Sequence, residues 1–167
     1  MDTFSTGDDV IRRRQMASAP PAQKLRSFGL EERHPPRALL AALGAYAFAT
    51  TLHFLHNGYF LEQYPNMPEW ISRDEVLVSL AIVHLLGFLG CALLYIGASI
   101  IGYVALAAYA ALGFDGLAHY SLAGFTRHTV IMNFTILFEV LAAAVLFIAV
   151  AAHAAGYLMA HRASDDN

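Results

Sequence analysis

Residues 76–114 read VLVSLAIVHLLGFLGCALLYIGASIIGYVALAAYAALGF and contain no Asp, Glu, Lys or Arg. As a single α-helix this run would be roughly 58 Å long, about twice the hydrocarbon core of a bilayer, so it has to fold back on itself. Gly97-Ala98-Ser99 is the natural turn. The run therefore predicts two antiparallel helices over residues 75–96 and 99–122, the second ending where Ala123-Gly124 breaks the pattern. Upstream, Ala38 to Leu61 is also free of charged residues and predicts a first span over 38–61. Downstream, a fourth span is expected over 129–152, able to continue toward His161.

Composition points the same way. Of 167 residues, 57% are hydrophobic and 14% charged, with a mean hydropathy of +0.50. A soluble domain carries about a quarter charged residues, so this chain lacks the polar surface to coat itself in water. Disordered, collagen-like and disulfide-framework classes are excluded by the same figures, because a single cysteine forms no internal bridge. A formal net charge of −3 gives no footprint for nucleic acid. The fold class read from the sequence is an all-α integral membrane four-helix bundle over residues 35–161. A flexible cytosolic arm (1–34) precedes it and a cytosolic tail (162–167) follows.

Orientation follows from Lys and Arg near the membrane. The amino-terminal segment carries Arg12, Arg13, Arg14, Lys24, Arg26, Arg33 and Arg37 and the tail carries Arg162, whereas the loops at the opposite end hold only Arg73 and Arg127. Both termini are expected in the cytoplasm, in a bacterial inner membrane. The first residues lack the apolar core of a cleavable signal, so the first span is expected to serve as its own insertion signal. The basic cluster reads as a topology signal, with contact to anionic lipid as the alternative. The loop from Glu62 to Ile71 contains Pro65 and Pro68, with Tyr64 and Trp70 expected at headgroup level. It reads as an interfacial anchor or as a short lid on the membrane.

Ionisable side chains inside spans are costly and usually mark function. Here they gather at one depth: His53, His56 and Asn57 late in the first span, His84 in the second, Asp115 and His119 late in the third, His128 and Glu139 early in the fourth. All fall in the outer half, while the cytosolic half is nearly all Ala, Leu, Val, Ile and Gly. At 100° per residue, His53 with His56 and Asn57, Asp115 with His119, and His128 with Thr135 and Glu139 each share a helix face. Hiding these stripes from lipid points them at one another.

Histidine with carboxylate and no useful thiol suits a transition metal (Cu, Zn, Fe or Ni), and His53, His56, His84, Asp115, His119, His128 and Glu139 are the candidate ligands. Haem is a second expectation, with His84 opposite His53 or His56 as cofactor-binding imidazoles, and non-covalent because no Cys-x-x-Cys-His motif is present. In a catalytic site Glu139 would be the general acid or base, acting on a lipophilic substrate. A third reading is a proton relay, or a pocket for a lipophilic amine or sterol-like molecule, in a small proton-coupled transporter or lipophile-binding protein. The plainest alternative is hydrogen-bonded glue between helices, at roughly 0.6 kcal/mol per contact. Expected partners are the lipid bilayer, a lipophilic small molecule, and a homo-oligomer or a larger membrane complex in which the chain is an accessory subunit.

Two short likenesses attach to these residues. Asp115-x-x-x-His119 followed by His128 is similar to the Asp/His/His copper arrangement in a membrane subunit of the particulate methane and ammonia monooxygenases, with a shorter second spacing. Asn133-Phe134-Thr135 with Glu139 resembles a short helix segment of the emopamil-binding sterol isomerase family, although here it lies in the last helix. Neither extends beyond a short segment, and neither assigns the chain to a family.

Overall fold

A computed structural model describes residues 35–165, with side chains through residue 163. The expected arm (1–34) and the last two residues lie outside the described residues.

Helix α1 (Arg37–Tyr59) follows Pro35-Pro36, whose fixed φ suits a helix start; the Leu40 N–H donates to the Pro36 carbonyl at 3.1 Å. Helix α2 (Arg73–Tyr95) opens on a capping box. The Glu75 N–H donates to Ser72 Oγ, and the Glu75 carboxylate accepts from the Ser72 N–H at 2.7 Å. It stops at Gly97, whose φ of +85° is the left-handed conformation that glycine adopts without strain. The Ala98 N–H then reaches the Leu93 carbonyl at 2.9 Å and turns the chain within two residues. The turn lies where the long uncharged run predicts it.

The third span is not one continuous α-helix. Helix α3 (Ser99–Leu112) tightens into a 3-10 stretch, Gly113–Leu117, before a short α4 (Ala118–Leu122). The cause is local. The Gly113 N–H bonds to the Ala110 carbonyl rather than to that of Tyr109, and the freed Tyr109 carbonyl accepts the Tyr46 hydroxyl at 3.0 Å. Gly113 is what lets Tyr46 in, because a Cβ there would lie 2.6 Å from both the Tyr46 ring and the Ala143 methyl.

Helix α5 (Val130–Asp165) is 36 residues long, or roughly 54 Å. It runs well past the expected end at 152, so the segment expected as a tail from 162 is helical through Asp165.

The helices close a ring: α1 packs on α2 and α5, α2 on α3, and α3 with the 3-10 stretch on α5. Close approach of α2 and α3 uses Gly90, where a Cβ would meet Leu106 at 2.7 Å. The half of the ring holding the start of α1 has a core of Leu39, Tyr46, Leu94, Leu106, Ala143, Leu146 and Val150. A smaller core of Tyr64, Met132 and Ile136 lies at the other end, under the 60–72 loop. Around the outside, Ile82, Phe88, Val104, Leu141 and Ile148 are exposed. A belt of large apolar side chains on four helices long enough to span a bilayer is consistent with an integral membrane protein.

Candidate functional site

A cavity of about 400 Å³ opens at the end of the ring covered by the 60–72 loop. One wall is a face of α2 (Val76, Ser79 and Val83), the opposite wall is Leu112, Gly116, Ala118 and Leu122 of the third span, and Met67, Pro68, Trp70 and Ile71 of the loop form the roof. His53, Asn57, His119 and Glu139 supply the buried polar lining, each less than a tenth exposed.

The 3-10 stretch decides which side chains of the third span reach it. At three residues per turn, Gly113, Gly116 and His119 fall on one line, and all three are buried. Asp115 and His119 therefore do not present one common face, as an unbroken helix would require. Asp115 is exposed at the cavity rim, while His119 is inside. Gly116 leaves room for the Glu139 carboxyl, since a Cβ there would touch Oε2 at 3.4 Å.

At the centre His53 Nε2 lies 3.7 Å from Glu139 Oε2, and His53 Nδ1 lies 3.5 Å from Thr135 Oγ1. Thr135 donates its hydroxyl proton to the Met132 carbonyl at 3.0 Å, so its contact with His53 calls for the Nδ1–H tautomer. A neutral His53 then turns the lone pair of Nε2 toward Glu139, at a distance longer than a hydrogen bond. The His119 ring lies 5.3 Å from that of His53, and His119 Nε2 faces the Asn57 amide nitrogen at 3.5 Å. Asn57 Oδ1 is buried with no hydrogen-bond partner in the protein.

The other candidates stand apart from this group. His56 is half-buried and shares a hydrogen bond of 2.9 Å with the Tyr64 hydroxyl. His128 is buried behind Tyr64 and Tyr120, with Nδ1 3.3 Å from the Gly124 carbonyl and Nε2 unpartnered. His84 does not line the cavity. Its Nδ1 lies 3.1 Å from the Leu80 carbonyl, and its Nε2 lies 3.1 Å from the Thr51 hydroxyl and 3.3 Å from the Ala47 carbonyl. With both nitrogens engaged and the ring outside the cavity, His84 joins α1 to α2 and does not face His53 as an axial pair would. Among the described residues, no three His, Cys, Asp or Glu side chains form a group able to hold a metal ion. The seven candidate ligands do not make one coordination shell.

Tyr64 is the residue that sequence patterning misplaced. Expected at headgroup level, it is only 3% exposed, with its ring tilted against that of His119 at 4.9 Å and packed on Met132 and Ile136. Burial pushes its phenol up to about 12. Trp70 does lie outside, 76% exposed. The loop is tied down by Asn66, a left-handed residue (φ 57°) whose amide donates to the Leu122 carbonyl at 2.8 Å, and by Arg73 lying 4.2 Å over the Tyr59 ring. No periodicity could have placed Tyr64, because the chain reverses between it and α1.

The chain matches no family model, and comparison with curated proteins and with solved structures gives no match.

Proposed function

We propose that this protein binds a lipophilic small molecule within the membrane, its polar end against Glu139, His53 and Asn57 and its apolar body between α2 and the third span. The observation that carries the reading is the cavity itself: about 400 Å³, walled by apolar side chains, with a histidine–carboxylate pair buried at its centre. Ligand sites have this composition, apolar walls with a few convergent polar groups. Helix-to-helix glue alone would fill the space between the polar groups rather than leave it open on one side.

The polar group also suits proton exchange with the ligand, because an N–H or O–H of the ligand can reach both His53 Nε2 and Glu139 Oε2, which lie 3.7 Å apart. That makes Glu139 the residue expected to act as acid or base, in a carrier or in an enzyme alike.

Trp70 is the only tryptophan in the chain and forms part of the cavity roof, so its fluorescence reports occupancy. Protein in phosphatidylcholine nanodiscs, titrated with a brominated long-chain alcohol, should show saturable quenching. Ser79→Phe, which fills the cavity from α2, should leave only the linear quenching due to partition into lipid. Linear quenching in both proteins overturns the reading. Stoichiometric Cu, Zn or Fe, or a Soret band, in the same preparation would replace it with a metal or haem site.

A further inference from the structure

The charge around the cavity is one-sided. Three carboxylates line it, Glu139 within, Asp115 at the rim and Glu75 at the mouth, and no lysine or arginine does. The nearest arginine of the roof, Arg73, is drawn away over the Tyr59 ring. The two imidazoles offset at most one of these three carboxylates. With ring centres 5.3 Å apart, His53 and His119 repel each other if both carry a proton. An anionic headgroup would therefore enter against like charge, with no guanidinium or ammonium to receive it.

A second observation is independent of the acids. Asn57 is buried, lines the cavity, and leaves Oδ1 without a partner in the protein. A buried amide oxygen in that state calls for an N–H or O–H donor from whatever occupies the space. Acceptors thus converge from α1 and α5, with another at the rim. Trp70 adds an aromatic ring at the mouth, a surface that attracts organic cations.

Resting on the lipophile-binding reading, we infer that the ligand's polar end is a protonated amine carrying at least one N–H, held by Glu139 and Asn57 with its hydrocarbon toward α2. A quaternary ammonium satisfies the carboxylates but has no hydrogen for Asn57 Oδ1. An alcohol offers the hydrogen without the charge, and a carboxylate is repelled. The expected order of affinity is alkylamine, then alkyltrimethylammonium, then alcohol, then fatty acid, at equal chain length. The same ammonium chemistry is available from a free long-chain amine or from the ethanolamine headgroup of a phospholipid.

The test uses the full chain in phosphatidylcholine nanodiscs, with Trp70 fluorescence read against dodecylamine, dodecyltrimethylammonium, dodecanol and dodecanoate, each corrected for lipid partition with Ser79→Phe. Dodecylamine should bind at least tenfold more tightly than dodecanol. Glu139→Gln should remove most of that preference. Asp115→Asn, at an exposed position where folding is not at stake, should weaken dodecylamine a few-fold and leave dodecanol unchanged. Asn57→Leu should erase the preference for dodecylamine over its trimethyl analogue. Equal binding of dodecylamine and dodecanol overturns the inference while leaving a lipophile pocket in place; saturation by none of the four overturns the lipophile reading itself. An amine preference that survives both Glu139→Gln and Asp115→Asn, or that persists in Ser79→Phe, also overturns it. Phosphatidylethanolamine added to the nanodiscs should compete with dodecylamine if the headgroup of a lipid is the source and have no effect if a free amine is; either result is compatible with the inference only when the amine preference holds.

Discussion

His53 and Glu139 come from helices at opposite ends of the chain, yet Nε2 of one lies 3.7 Å from Oε2 of the other, with both side chains no more than 3% exposed. Desolvating two such groups is costly, and Thr135 orients the imidazole so that Nε2 faces the carboxyl. The pair is the natural place to begin testing the site.

A double-mutant cycle over His53→Ala and Glu139→Gln, read by reversible unfolding in mixed micelles, should give a coupling of about 0.5–3 kcal/mol, the range for residues in contact. Single losses that add to within about 0.5 kcal/mol would mean that the two side chains do not interact.

Tyr64→Phe removes the hydrogen bond to His56 and should cost about 0.5–1.5 kcal/mol at neutral pH. The pH dependence has a definite sign. Burial raises the Tyr64 phenol from 10.0 to about 12, so the folded state holds this proton after the unfolded state has lost it. That contribution is complete below pH 10 and is lost as pH rises toward 12, where stability falls. The wild-type chain should therefore lose stability more steeply than Tyr64→Phe between pH 9.5 and 11.5, in urea or mixed-micelle unfolding. Parallel slopes would contradict the buried phenol.

His84→Ala should lower stability by no more than about 1 kcal/mol, since it breaks interhelical hydrogen bonds of the kind that average roughly 0.6 kcal/mol in membranes. Trp70 quenching by lipophiles should be unchanged in this variant. A large loss of binding would place His84 in the site after all.

Gly113→Ala should be among the most disruptive small changes in the chain. Its methyl would meet the Tyr46 ring and Ala143 at 2.6 Å, and overpacking of this kind costs about 1–3 kcal/mol. It should also weaken ligand binding, because pushing Tyr46 from the Tyr109 carbonyl removes the cause of the 3-10 stretch that aims His119 inward. Adding Tyr46→Phe to Gly113→Ala should not recover the stability, since the ring carbon and the Ala143 methyl at 2.6 Å both remain; the thermal midpoint in detergent reads this directly.

Four helices long and apolar enough to cross a bilayer were legible in the sequence because a bilayer imposes a coarse rule: each crossing needs a long uncharged run, and a run of twice that length must turn at a residue such as Gly97, free to adopt a positive φ. The gathering of polar side chains toward one end of the bundle was legible for the same reason, that level being set by position along a helix. Which of them share a cavity was not. The angular reading assumes an unbroken 100° per residue, and at Gly113 the helix tightens to three residues per turn through a contact with Tyr46, far away in the sequence. That contact moves Asp115 to the rim and leaves His119 inside. His84 finds its partners on the neighbouring helix and Tyr64 folds back under its own loop. Hydrophobic run length is a property of the chain alone, whereas the direction of a side chain depends on what packs against the backbone that carries it, and only the assembled helices decide that.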